Sequence, residues 1–134
     1  MLFEYLKQLV ETQDGKILFI LALIALAMTF DFLTGIASAR INPNLQPNSK
    51  IGINGILRKI SSLTLMLFFI PVSVLIPYDA GVAVLYTLYV GYLAMELMSI
   101  LENFEKMGID IKLFDEFLTI IRGKLKEKED ETAE

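Results

Sequence analysis

Four charged side chains fall in or beside stretches that are otherwise apolar, and their types and spacing could do chemistry: Asp31, Glu96 and the adjacent bases Arg58 and Lys59. A carboxylate held at bilayer depth is costly unless it is paired or wetted, so Asp31 and Glu96 are functional candidates by default. Two roles suit them, an ion-pair cluster that holds helices together and the lining of a water-filled pore or ion path, and the two can coexist. Covalent catalysis is poorly served. With no histidine and no cysteine, the chain lacks the commonest general base, the thiolate nucleophile and most zinc or haem ligands, so no cofactor and no metal is expected. Intramembrane aspartyl proteolysis would need two carboxylates in one site, and the other candidate, Asp79, falls in the opposite loop. Ser61, Ser62 and Thr64 form a hydroxyl cluster with no histidine and no paired lysine nearby, which fits hydroxyls bonding back to helix carbonyls.

The elements that must position these residues are membrane helices. Of the 134 residues, 54% are hydrophobic, and they are gathered in long runs at 17–39, 60–76 and 80–101, the second extending back to Gly55. A bilayer core needs ~20 apolar residues per helix at ~1.5 Å rise, so each run can span. A cleaved secretory signal is the competing reading of the first run, because Ala37-Ser38-Ala39 matches the small-residue cleavage pattern. The segment before it balances Lys7 and Lys16 with Glu4, Glu11 and Asp14, however, and two further spans follow. The expected fold is therefore an all-α membrane protein with spans at about 17–39, 55–76 and 80–101.

Leu2, Phe3, Leu6, Leu9 and Val10 share one helical face, which suits an N-terminal interfacial helix within residues 1–16, with a break at Asp14-Gly15 before the first span. A polar, proline-punctuated loop follows Arg40, and Lys50 resumes a helical pattern. Pro71 predicts a kink in the second span, and Pro77-Tyr78-Asp79 an antiparallel hairpin into the third. Gly108 is placed to cap the third helix. Leu113, Phe114, Phe117, Leu118, Ile121 and Leu125 then recur at helical spacing, so within 109–134 residues 110–126 read as an amphipathic helix, with Leu113, Phe117 and Ile121 on its face, and residues 124–134 as a mixed-charge, disordered tail. Residues 102–134 hold ten acids against six bases, enough to account for the formal charge of −4, and that argues against nucleic-acid binding.

Orientation follows from bases in short loops. Arg40, Lys50, Arg58 and Lys59 lie in or near the first connection with no acid among them, and residues 77–81 hold no base. This predicts an outside N-terminus and a cytoplasmic C-terminus. Asp31 then lies ~13 Å from Arg40 along its helix, and Glu96 ~7 Å from Leu101, both toward the end where Arg58 and Lys59 enter. All four are expected to meet, one base facing each acid. Small residues suit close helix contacts at Ala83, Thr87 and Gly91, and at Gly35 and Ala39. Tyr86, Tyr89 and Tyr92 either line a wet face or pack with their hydroxyls satisfied.

Three patches resemble a known family. Asp31-Phe32-Leu33-Thr34-Gly35, then Ser49-Lys50-Ile51-Gly52-Ile53-Asn54-Gly55-Ile56-Leu57-Arg58-Lys59, then Glu96-Leu97-Met98-Ser99-Ile100-Leu101-Glu102-Asn103 are similar to the motifs of the phage-lysis and toxin-secretion holin family. The resemblance covers residues 31–108. It departs from the family pattern after the last motif, where Ile111 or Lys112 stands in place of a frequent proline. What it implies is a small protein of the bacterial inner membrane that forms homo-oligomers in the lipid bilayer. They open a pore or lesion that releases an endolysin or toxin, leading to lysis or secretion. A rival reading makes the chain a small cation- or proton-coupled transporter or channel using Asp31 and Glu96, against which their position near one end counts. A third makes it a passive membrane adaptor whose tail helix recruits a soluble partner.

Overall fold

A computed structural model describes the backbone of residues 1–133 and, among these, every side chain except those of residues 122, 125, 128, 129, 132 and 133. The described residues form five helices: α1 (Leu2–Leu9), α2 (Gln13–Ile41), α3 (Ser49–Ser73), α4 (Ala80–Lys106) and α5 (Lys112–Ala133). Of these, α2, α3 and α4 are long and apolar enough to cross a membrane. At ~1.5 Å per residue they measure roughly 38 to 44 Å, longer than the ~30 Å hydrocarbon core of a bilayer.

Local chemistry explains most of the boundaries. The break between α1 and α2 falls earlier than Asp14-Gly15 suggests, because the Thr12 hydroxyl caps α2 by accepting from the Gly15 N–H at 3.0 Å. Gly15 itself lies in the first turn, where any Cβ would stand 2.1 Å from the Leu9 carbonyl oxygen. The side chain of Asn48 caps α3 through the N–H groups of Lys50 at 3.0 Å and Ile51 at 3.4 Å. The helix therefore begins before Gly55, the limit read from hydropathy alone. It also ends at Ser73 and not Ile76, two residues beyond Pro71. The return to α4 is tight: a Cβ on Gly81 would meet the Ser73 carbonyl oxygen at 2.0 Å, and Tyr78 takes φ +60° in the turn. Gly108, at φ +84°, ends α4 as expected, its N–H reaching the Glu105 carbonyl at 2.9 Å while the Ile109 N–H reaches that of Phe104 at 3.0 Å.

The up-down-up path makes α2 and α4 parallel neighbours, and their contact is the main one in the bundle. α3 runs opposite to both and touches each over a smaller area. Ile17, Ile20, Ile24 and Met28 recur every three or four residues along α2 and close on Met66, Leu85 and Tyr89. Ile24 and Tyr89 are completely covered. α1 and α5 lie outside this core, with Leu2, Phe3 and Tyr5 on α1 exposed.

Candidate functional site

The polar centre of the bundle lies at equal distances from three helix ends. Asp31 is ten residues from the end of α2, Lys59 ten from the start of α3, and Glu96 ten from the end of α4, which puts each ~15 Å in from the same side. The Lys59 ammonium lies between the acids, 2.7 Å from Asp31 Oδ2 and 2.5 Å from Glu96 Oε2. All three groups are largely shielded, with side-chain exposures of 21% for Lys59, 12% for Asp31 and 8% for Glu96. At such depth a charge-assisted contact is short and strong, and an unpaired partner would be costly.

Asp31 has a second supporter that motif chemistry did not single out. The buried amide of Asn103 donates to Asp31 Oδ1 at 2.9 Å, to the Asp31 carbonyl at 3.1 Å and to the Thr34 hydroxyl at 3.1 Å. Glu96 has only the Lys59 ammonium among the described residues. Gly35 lies beneath the same amide, with a Cβ there reaching Asn103 Nδ2 at 3.7 Å, so this glycine marks where α2 and α4 approach. Further toward the loop, the Asn42 amide donates to the Lys106 carbonyl at 3.0 Å and ties the ends of α2 and α4 together.

Arg58 does not join. The sequence assigns one base to each acid, whereas in the structure Lys59 serves both and Arg58 is exposed with no ion pair among the described residues. Adjacent helical residues point ~100° apart, so the rotation that turns Lys59 inward turns Arg58 out. The small-residue sets also divide. Gly35 and Ala39 are half-buried within the protomer, while Ala83, Thr87 and Gly91 are exposed, and no atom approaches within 4 Å of a Cβ built on Gly91. On α5, Leu113 and Phe117 are exposed and Ile121 is half-buried. Leu125 lies outside the described side chains.

Several hydroxyls bond to helix carbonyls. The hydroxyls of Ser61 and Thr64 donate to the Leu57 and Ile60 carbonyls at 2.8 Å each. Tyr89 packs in the core and its hydroxyl donates to the Met66 carbonyl, while Tyr86 is exposed and Tyr92 half-buried. An apolar groove opens between α2 and α3, walled by Ala25, Met28, Phe32, Ile56, Ile60 and Leu63. Chemically, the triad is an ion-pair link between three helices, with one tethered cation between two carboxylates.

Comparison with known proteins gives the chain's family. The bacteriophage holin family matches residues 9–123. The chain is similar to the antiholin of Bacillus phage B103, 33% identical over 126 residues, which cover 94% of this chain and 91% of that protein. It is also similar to the antiholin of Bacillus phage phi29, 29% identical over 127 residues, 92% of this chain and 95% of the relative. No solved structure matches. The chain belongs to the bacteriophage holin family, whose members are membrane lysis regulators and not enzymes.

Proposed function

We propose that this protein is itself a holin: copies accumulate in the bacterial inner membrane, associate laterally, and open a lesion through which an endolysin or toxin passes. The observation that carries this reading is the contrast between the closed centre of the protomer and its open outer faces. Lys59 occupies the space between Asp31 and Glu96, so the polar cluster is occupied by the chain's own cation. Ala83, Thr87 and Gly91 are uncovered, and small side chains let helix backbones approach where lipid gives no hydrophobic drive. An opening of protein size has to form between many copies, because three helices are too few to enclose one. The same contrast disfavours the transporter alternative.

In this reading the connection bearing Arg40, Lys50, Arg58 and Lys59 is cytoplasmic, the N-terminus is outside, and α1 rests in the outer interface. The α5 face at Leu113, Phe117 and Ile121 adds assembly or partner contacts at the cytoplasmic surface. A second reading, a regulator that co-assembles with a separate holin and restrains it, is favoured by the antiholin names of the relatives. Induced expression in bacteria separates the two. A holin gives abrupt lysis that depends on a co-expressed endolysin; a restraining regulator gives none alone and delays lysis by a co-expressed holin.

A further inference from the structure

Of the three spans, α3 is the least covered: in its most apolar stretch 6% of residues are buried, against 33% in α2 and 17% in α4. Ile51, Arg58 and Leu65 recur every seven residues along one side of it, and all three are exposed. Arg58 is thus a permanent cation on an apolar, uncovered surface. On α4, Ala83, Thr87, Gly91 and Met95 follow one exposed face at intervals of four, and Glu102, seven residues on, continues it toward the loop end. Glu102 is exposed as well and forms no ion pair among the described residues. The protomer therefore presents two separate helix faces, one carrying a cation and the other an anion that have no ion-pair partner among the described residues.

The Lys59–Glu96 contact gives α3 and α4 a common depth scale. Leu65 lies six residues below Lys59 and Gly91 five below Glu96, so a large side chain and an open glycine differ by only ~1.5 Å in level. Arg58 lies one residue above Lys59 and Glu102 six above Glu96, a difference of ~7.5 Å. Long basic side chains bury their stems against apolar surface and extend the head toward the aqueous boundary, which closes most of that gap.

We propose that the surface covering α3 is α4 of a second copy of this chain, with Arg58 paired to the neighbour's Glu102 and Leu65 seated over its Gly91. Copies related by rotation about the membrane normal keep the same depth, so the level match within one protomer carries over between protomers. The two faces differ, so the contact is head-to-tail and a pair of copies retains one free α3 face and one free α4 face for further additions. Such contacts generate rings when the rotation closes and open arrays when it does not. The inference rests on the self-association proposed above and specifies its geometry.

The test uses the full-length chain in bacterial membranes, with an amine-reactive crosslinker on the wild type and a Leu65→Cys/Gly91→Cys double variant in the cysteine-free background. The wild type is expected to give an oligomer ladder, and the cysteine pair an intermolecular disulfide. Arg58→Glu and Glu102→Arg should each reduce the ladder several-fold at equal membrane abundance, and the combined reversal should restore it. A wild type without a ladder overturns self-association and this interface together. A wild-type ladder indifferent to both reversals, or a double reversal no better than the singles, overturns the Arg58–Glu102 pairing alone. An effect of Arg58→Glu with none of Glu102→Arg also overturns it, in favour of Arg58 anchoring to lipid phosphates.

Discussion

Replacing Lys59 with methionine keeps the length of the side chain and removes the cation, so it tests the triad with little change in packing. The variant strands Glu96 and Asp31, whose side chains are 8% and 12% exposed. Removing one partner of a buried ion pair costs about 3 to 5 kcal/mol, and the 21% exposure of Lys59 places the expectation near the lower end. That is a loss of roughly a hundredfold in the ratio of folded to unfolded protein. The two acids should not respond alike. Asp31 keeps the Asn103 amide at 2.9 Å, whereas Glu96 loses its sole donor among the described residues. Adding Glu96→Gln to Lys59→Met should therefore recover more stability than adding Asp31→Asn. Graded detergent unfolding followed by circular dichroism, with membrane abundance measured alongside, reads both effects. A Lys59→Met protein as stable as the parent, or a larger rescue by Asp31→Asn, would refute the reasoning.

Tyr89→Phe removes the hydrogen bond to the Met66 carbonyl while keeping the ring; it should cost about 1 kcal/mol in the same unfolding assay, against about 3 to 5 for Tyr89→Ala, which also opens a cavity. Gly91→Leu should leave the protomer as stable as the parent, since a Cβ there meets no atom within 4 Å, yet reduce crosslinked oligomers and delay lysis. Truncation after Gly108 should preserve insertion of the three spans and alter oligomer size or lysis timing, and unchanged values for both would leave α5 without a role. Reporter fusions should show residue 134 in the cytoplasm and the segment before residue 13 outside; the reverse pattern would overturn the orientation drawn from Arg40, Lys50, Arg58 and Lys59.

Long apolar runs made the three helices of membrane-spanning length legible, because the backbone in a bilayer must satisfy its own hydrogen bonds and few architectures do so. The depth of Asp31, Lys59 and Glu96 was also legible, since helix rise converts sequence distance into level. Rotation was not. Whether Arg58 or Lys59 turns inward depends on how α3 rolls against α2 and α4, and two adjacent bases carry no signal that separates them. Asn103 stood within a motif, yet its role depends on meeting Asp31 and Thr34 from another helix. The Tyr89 hydroxyl finds a backbone carbonyl, an acceptor that every residue has. Helix ends moved for local reasons: Thr12 and Asn48 extend α2 and α3 beyond their apolar runs by capping them, signals weaker than hydropathy but physically specific.

Release of cargo from lipid vesicles containing only the purified full-length protein is the most direct test of the central claim, that this chain by itself opens a bilayer widely enough for a protein. Vesicles would carry a small dye together with a folded fluorescent protein of endolysin size. The account predicts that both escape once the protein-to-lipid ratio passes a threshold, as expected for a lesion built from many copies. Escape of the dye alone at every ratio would identify an ion path, and retention of both would identify a regulator that needs another protein to act; either result would contradict the account.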